Sequence, residues 1–161
     1  FLLIMRGTPL ILQLYGFYFG LYYIAGLSLD RMTAAVIGFS LNYAAYFAEI
    51  YRSGIQAIPK GQYEAAALLG YSKVQSFLHI ILPQVVKVVL PSVTNEVITL
   101  VKDTSLVYSL SYIEMFGVAK QIAAAQTTIL PFFIAGIFYF IFNYTVAFCM
   151  EQFEKKLNYY R

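Results

Sequence analysis

Ser92, Asn95, Glu96 and Thr99 stand at i, i+3, i+4 and i+7, and Lys102 and Asp103 continue the run. In a helix that spacing puts them along one side, so a single polar stripe runs through an otherwise apolar stretch. Charged groups at membrane depth are costly and face a bundle interior, a water-filled cavity or one another. Two roles fit the stripe. It is the wall of a pathway for a polar or zwitterionic solute, or it is a buried Glu96–Lys102 or Lys102–Asp103 network that only holds helices together. Asn42, Tyr46 and Glu49 share a side of another stretch by i, i+4, i+7 spacing. From there Asn42 and Tyr46 are candidates to face the stripe.

Covalent chemistry finds no such support. His79 is the sole histidine and has no Cys or carboxylate at metal-ligand spacing. The sequence has no H-E-x-x-H, no G-x-S-x-G and no phosphate-cradling Gly-Lys-Ser/Thr. The single cysteine, Cys149, leaves no intrachain disulfide and no cysteine metal cluster. The reading is a non-enzyme with no metal and no cofactor of its own. A net charge of +3, scattered along the chain, gives no basis for nucleic-acid binding.

The elements that must position these residues are membrane helices. Of 161 residues, 60% are hydrophobic and 12% charged, against about 25% charged in soluble domains; mean hydropathy is +0.68. Apolar runs recur at the roughly 20 residues that cross a bilayer core, without the alternation of a barrel. The expected class is all-α, a polytopic helical bundle with spans near residues 9–25, 33–51, 84–101 and 129–150. Pro91 is expected to interrupt the third span. Gly16 and Gly20 form a G-x-x-x-G pair suited to close helix packing, within the chain or between chains. Residues 102–128 are too polar for a lipid-facing span and too apolar for a free loop. They predict a partly helical segment tucked against the bundle. Phe1 opens the chain inside an apolar run, which reads as a fragment truncated in its N-terminal membrane part.

Residues 53–83 form a moderately polar island with its own helix punctuation. Pro59 suits a helix start, Gly70 a left-handed helix end, and Ser72 with Gln75 a capping box. Pro83 marks an expected end or kink. Ala65, Ala66 and Ala67 make a small-residue surface and Glu64 supplies a charge, so the island suits docking against a partner. Arg52, Lys60, Lys73 and Lys87 surround the island, while Lys155, Lys156 and Arg161 mark the tail. Excess Lys and Arg marks cytoplasmic segments, which puts island and C-terminus inside the cell.

The island resembles the EAA motif of ABC-importer permeases: Glu64-Ala65-Ala66, Gly70 six residues after the Glu, then Phe77, Ile80, Leu82 and Pro83. More of the chain resembles the polar amino acid subfamily of type I importers for histidine, glutamine, arginine or cystine. Arg6-Gly7-Thr8-Pro9-Leu10 looks like its R-G-T-P-L segment. The stretch from Ala44 to Ile55 looks like A-A-Y-x-A-E-I-x-R-G-G-I, with Ser53 where Gly is common. Pro59-Lys60-Gly61-Gln62 and Lys102-Asp103-Thr104-Ser105-Leu106 also fit.

The resemblance implies a MetI-like permease domain over residues 1–161, with four of five spans present and the N-terminal one missing. Lys60, Glu64, Ala65, Ala66, Gly70, Phe77 and Pro83 would then belong to the loop that couples to an ATPase. Implied partners are an ABC ATPase subunit that uses ATP and Mg, a second identical or homologous permease and an extracytoplasmic solute-binding protein. Substrate would be a polar amino acid, and the location a bacterial plasma membrane crossed several times. An ion-coupled secondary transporter, with Glu96, Lys102 and Asp103 coupling to the ion, and a non-transporting assembly subunit are the competing readings.

Overall fold

A computed structural model describes residues 1–157, so Arg161 of the basic tail lies outside the described residues. Among these the elements are helical: α1 Leu2–Gly7, α2 Leu10–Ala25, α3 Arg31–Gln56, α4 Lys60–Leu68, α5 Lys73–Leu110, α6 Met115–Gln126 and α7 Leu130–Leu157. Only α5 and α7 are both long and apolar enough to cross a membrane on those grounds alone. The other two expected spans fall on α2, which is shorter, and α3, whose 26 residues include Asn42, Tyr43, Glu49 and Arg52.

The helix punctuation of the island is realised by hydrogen bonds. Gly70 takes φ +80° just after α4. Its N–H donates to Ala67 O at 3.0 Å and the Tyr71 N–H to Ala66 O at 3.1 Å, so two otherwise orphaned helix-end carbonyls are satisfied. Ser72 accepts from the Gln75 N–H at 3.3 Å while the Gln75 side chain accepts from the Ser72 N–H at 3.0 Å. Pro59 sits one position before α4, extended at ψ 138°.

Neither proline breaks α5. A wide π-type turn over Phe77–Ile81 precedes Pro83, and the Gln84 amide donates to Ile80 O at 2.8 Å. A widened turn re-satisfies carbonyls around a residue that has no N–H of its own. Helix continues through Pro91 as well. Helix therefore runs on past the expected end at Pro83 and the expected interruption at Pro91, as one run from the island through the third span. It closes in a tight 3-10 segment over Thr104–Leu110. The left-handed Ser111 then turns the chain toward α6, which packs on α7. Residues 102–128 are partly helical and partly buried, as their mixed composition predicts.

Two apolar clusters hold the bundle. Leu14, Ala35, Val107 and Leu110 join α2, α3 and the end of α5. Ile58, Ile81, Val85 and Val89 join the end of α3 to the first half of α5. At the second cluster α3 and α5 approach closely at Gly54, where an added Cβ would strike the Val89 side chain. Gly16 and Gly20 have no such neighbour among the described residues, so of the two kinds of packing open to that pair the one within the chain is not seen there.

Replacing Gly54 with Ala inserts a methyl into this crossing. Overpacking of this kind costs about 1–3 kcal/mol. We expect Gly54→Ala to lower the thermal midpoint in detergent and Val89→Ala to restore most of the loss in the double variant. An undiminished loss in the double variant would refute the contact.

Candidate functional site

The knob made by α4 and the first turn of α5 presents a different surface from the one composition suggests. Ala66 is buried at 1% exposure, so it seats α4 instead of offering a surface. Lys60, Glu64, Ala65 and Ala67 are exposed, and Phe77 and Pro83 line the junction with α5, partly covered. The most prominent features are apolar: Leu68 is 89% and Leu69 75% exposed, with Tyr71 and Val74 beside them in the chain. This edge was not among the residues singled out from sequence. Its signal was legible in two leucines placed directly before the helix-ending glycine, where no continuing helix can cover them.

The polar residues deeper in the bundle divide into two groups. Asn42 is buried and belongs to a junction that joins α1, α2 and α3. Its amide donates to Met5 O at 3.1 Å and to Gln13 Oε1 at 3.0 Å. Gln13 donates to Met5 O at 2.8 Å and to Thr8 O at 3.1 Å. Helix α1 stops before Pro9 and leaves its last carbonyls without helical partners; these two amides supply the missing donors. Asn42 thus turns toward α1 and α2, not toward the stripe on α5. Arg6, on the last turn of α1, lies 3.6 Å from Glu49 and 5.5 Å from the centre of the Tyr46 ring. Arg52 completes the cluster at 2.7 Å from Glu49. Tyr46 is engaged there as a cation–π partner.

The second group is the α5 stripe. Ser92 and Asn95 are exposed, and Glu96 and Thr99 are half-buried. The Thr99 hydroxyl donates to Asn95 O at 2.9 Å. Glu96 lies within electrostatic reach of Asp103 and of Arg6. Asp103 accepts from the Tyr43 hydroxyl of α3 at 2.8 Å. Among the described residues Lys102 makes no ion pair with Glu96 or Asp103, so neither pairing of the alternative, purely structural network is present. The stripe keeps two carboxylates, Glu96 and Asp103, and three amide or hydroxyl groups, Ser92, Asn95 and Thr99, along one helix face. Tyr43 was missed from sequence because an aromatic in an apolar run gives no sign of a polar partner sixty residues on.

Outside the spans, Asp30 caps α3 by accepting from Met32 N and Thr33 N at 3.0 Å and from the Thr33 hydroxyl. These hydrogen bonds, the Thr33 hydroxyl foremost, hold its carboxyl below the ordinary value. Glu114 caps α6 likewise, accepting from Gly117 N at 2.6 Å and Phe116 N at 2.7 Å. Among the described residues no group of His, Cys, Asp and Glu is arranged to hold a metal.

Residues 1–159 match the family described as binding-protein-dependent transport system inner membrane component. The arginine transport system permease protein ArtQ of Bacillus subtilis is 41% identical over 96% of this chain and 71% of its own length. The L-cystine transport system permease protein TcyB of the same organism is 37% identical over 97% of this chain and 67% of its own. A solved structure described as an amino acid ABC transporter with histidines superposes with a TM-score of 0.86 at 33% identity, covering 96% of this chain and 72% of that one.

The Tyr43–Asp103 hydrogen bond ties α3 to the C-terminal end of the stripe. Interhelical hydrogen bonds in membranes average about 0.6 kcal/mol and reach about 1.7. Tyr43→Phe is expected to cost about 1 kcal/mol, with Asp103→Asn contributing little further in that background. A double-mutant cycle on unfolding in detergent measures the coupling, and strictly additive losses would show that the two side chains act independently.

Proposed function

The chain belongs to the family of binding-protein-dependent transport system inner membrane components, and from that premise we propose that it forms the pathway of an ATP-driven importer of polar amino acids. Support for the substrate class comes from relatives named for arginine, glutamine and cystine transport, together with the α5 stripe. Ser92, Asn95, Glu96, Thr99 and Asp103 offer the mixture of carboxylates, amide and hydroxyls that a zwitterion needs in order to exchange its water shell. Lys102, exposed at the end of the stripe, supplies a positive charge there.

The knob is the coupling element of this reading. The single observation that carries it is the exposed Leu68–Leu69 edge on a capped helix whose base is fixed by Ile58, Ile81, Val85 and Val89. An exposed apolar edge on a capped, polar helix marks a protein contact, and Glu64 and Lys60 provide charges on the same helix. The partner is an ABC ATPase, on which ATP and Mg are used. A second permease copy or homologue, a solute-binding protein on the outer side and surrounding lipid complete the assembly. Lys and Arg around the knob favour a cytoplasmic knob and C-terminus in a bacterial plasma membrane.

Because α5 is one helix from Lys73 to Leu110, a displacement at the knob reaches the stripe without crossing a flexible joint. Lys73 and Glu96 are about 35 Å apart along such a helix. ATP binding moves the two knobs only if the closed and open assemblies differ in their affinity for nucleotide. That difference enters at the Leu68–Leu69 edge and leaves at Glu96 and Asp103.

Burying a leucine side chain contributes about 1.5–3 kcal/mol, so Leu69→Asp is expected to weaken ATPase association by more than about tenfold. Gly70→Ala places a side chain where φ is positive, a cost of about 1–2 kcal/mol, and should reduce uptake through the shape of the knob. Association and ATP-driven uptake are read in reconstituted vesicles, with Glu64→Gln for comparison. Wild-type coupling in both the Leu69 and Gly70 variants, or uptake driven by an ion gradient without ATP, would overturn the proposal.

A further inference from the structure

Two contacts fix how α3 and α5 lie against each other. Gly54 meets Val89 near the knob, and the Tyr43 hydroxyl reaches Asp103 at 2.8 Å farther along both helices. Between these contacts the helices run antiparallel. From Asp103 back to Glu96 is about 10 Å along α5, and from Tyr43 on to Glu49 about 9 Å along α3. Glu96 and Glu49 therefore stand at the same level on packed helices. Arg6 is at that level too. Its guanidinium lies 3.6 Å from Glu49 and 5.5 Å from the centre of the Tyr46 ring, and its charge acts on Glu96. Among the described residues no ion pair joins Arg6 to Glu96.

The charges allow a second arrangement. Glu49 has two cations, and Arg52, at 2.7 Å, is the nearer, so Glu49 keeps a partner when Arg6 leaves. Glu96 is half-buried on a helix long and apolar enough to span a membrane, where a paired carboxylate is less costly than a lone one. Arg6 can thus pass from one carboxylate to the other without stranding either. The backbone beneath it stays in place, because Met5 O is held by the Gln13 and Asn42 amides and Thr8 O by Gln13. The change is a swing of one long side chain past the Tyr46 ring. We propose that Arg6 is a two-position latch at the level of Glu96, paired with Glu49 in one state of the transport cycle and with Glu96 in the other. In the first position, the one seen here, Glu96 is left to the ammonium of a solute. In the second, the guanidinium lies across the stripe and bars the solute from passing back. The inference rests on the reading that the α5 stripe lines the pathway, and adds the part that shuts it. Nucleotide binding can exchange two such arrangements only where they differ little in free energy, a condition that one cation moving between two carboxylates meets.

The test uses the transporter assembled with its ATPase and reconstituted in vesicles. ATP-driven uptake of a polar amino acid by the wild type is measured first, and its absence overturns the transport reading itself. Double-mutant cycles on the thermal midpoint then pair Arg6→Gln with Glu49→Gln and with Glu96→Gln, without nucleotide and with a non-hydrolysable ATP analogue. Arg6 is expected to couple to Glu49 in one condition and to Glu96 in the other. The same partner in both conditions overturns the latch while the transport reading stands. Efflux of preloaded amino acid without ATP gives a second readout that depends on no unfolding transition. Loss of one ion pair of this kind shifts a two-state balance about fivefold, so Arg6→Gln should raise efflux about fivefold. The reversed pair, Arg6→Glu with Glu96→Arg, should return it to the wild-type rate. Efflux unchanged by Arg6→Gln, or left high by the reversed pair, overturns the latch as well.

Discussion

The crossing of α3 and α5 at Gly54 and Val89 is the contact on which the other parts depend. It lets the Ile58, Ile81, Val85 and Val89 side chains close against one another. That cluster fixes the direction in which α4 leaves α3 and the place where α5 begins. The knob carries little apolar burial of its own, since its leucines face outward and Ala66 alone of α4 is buried. Its position is therefore inherited from a core that lies outside it. A side chain larger than hydrogen at Gly54 would spread the helices and tilt the knob together with the whole of α5.

The interior polar groups show how a membrane-type bundle distributes its few hydrogen-bonding side chains. The break between α1 and α2 frees carbonyls, and Gln13 and Asn42 answer them. Glu49 is held by Arg6 and Arg52. These residues are occupied in keeping the fold. On α5, Ser92 and Asn95 face outward and Glu96 is half-buried, while Asp103 has the Tyr43 hydroxyl. The scaffold groups are thus told apart from the α5 stripe by geometry instead of by residue type.

Much of the knob was legible from residue types because its determinants are local. Gly70 after Leu69, and Ser72 three residues before Gln75, specify cap geometry over one helical turn, and the hydrogen bonds follow that geometry. Pro83 and Pro91 misled for a related reason. A proline removes a local donor, but whether the helix stops depends on whether a widened turn or a side chain such as Gln84 can absorb the loss. Ala66 illustrates a further limit: three successive alanines look alike in sequence, and only the packing of α4 decides which one turns inward.

Composition and spacing by themselves determined that the chain is a helical membrane-type protein and that a capped knob interrupts its apolar runs. Those properties follow from local propensity and from the cost of taking polar groups out of water, both of which act residue by residue. Tertiary structure decided that helix runs on through Pro83 and Pro91, that Asn42 serves the α1–α2 break and that Asp103 pairs with Tyr43. Each of these joins residues distant in the chain, such as Asn42 with Met5 and Tyr43 with Asp103. Their proximity is set by how helices cross, and a crossing such as that at Gly54 and Val89 depends on both surfaces at once.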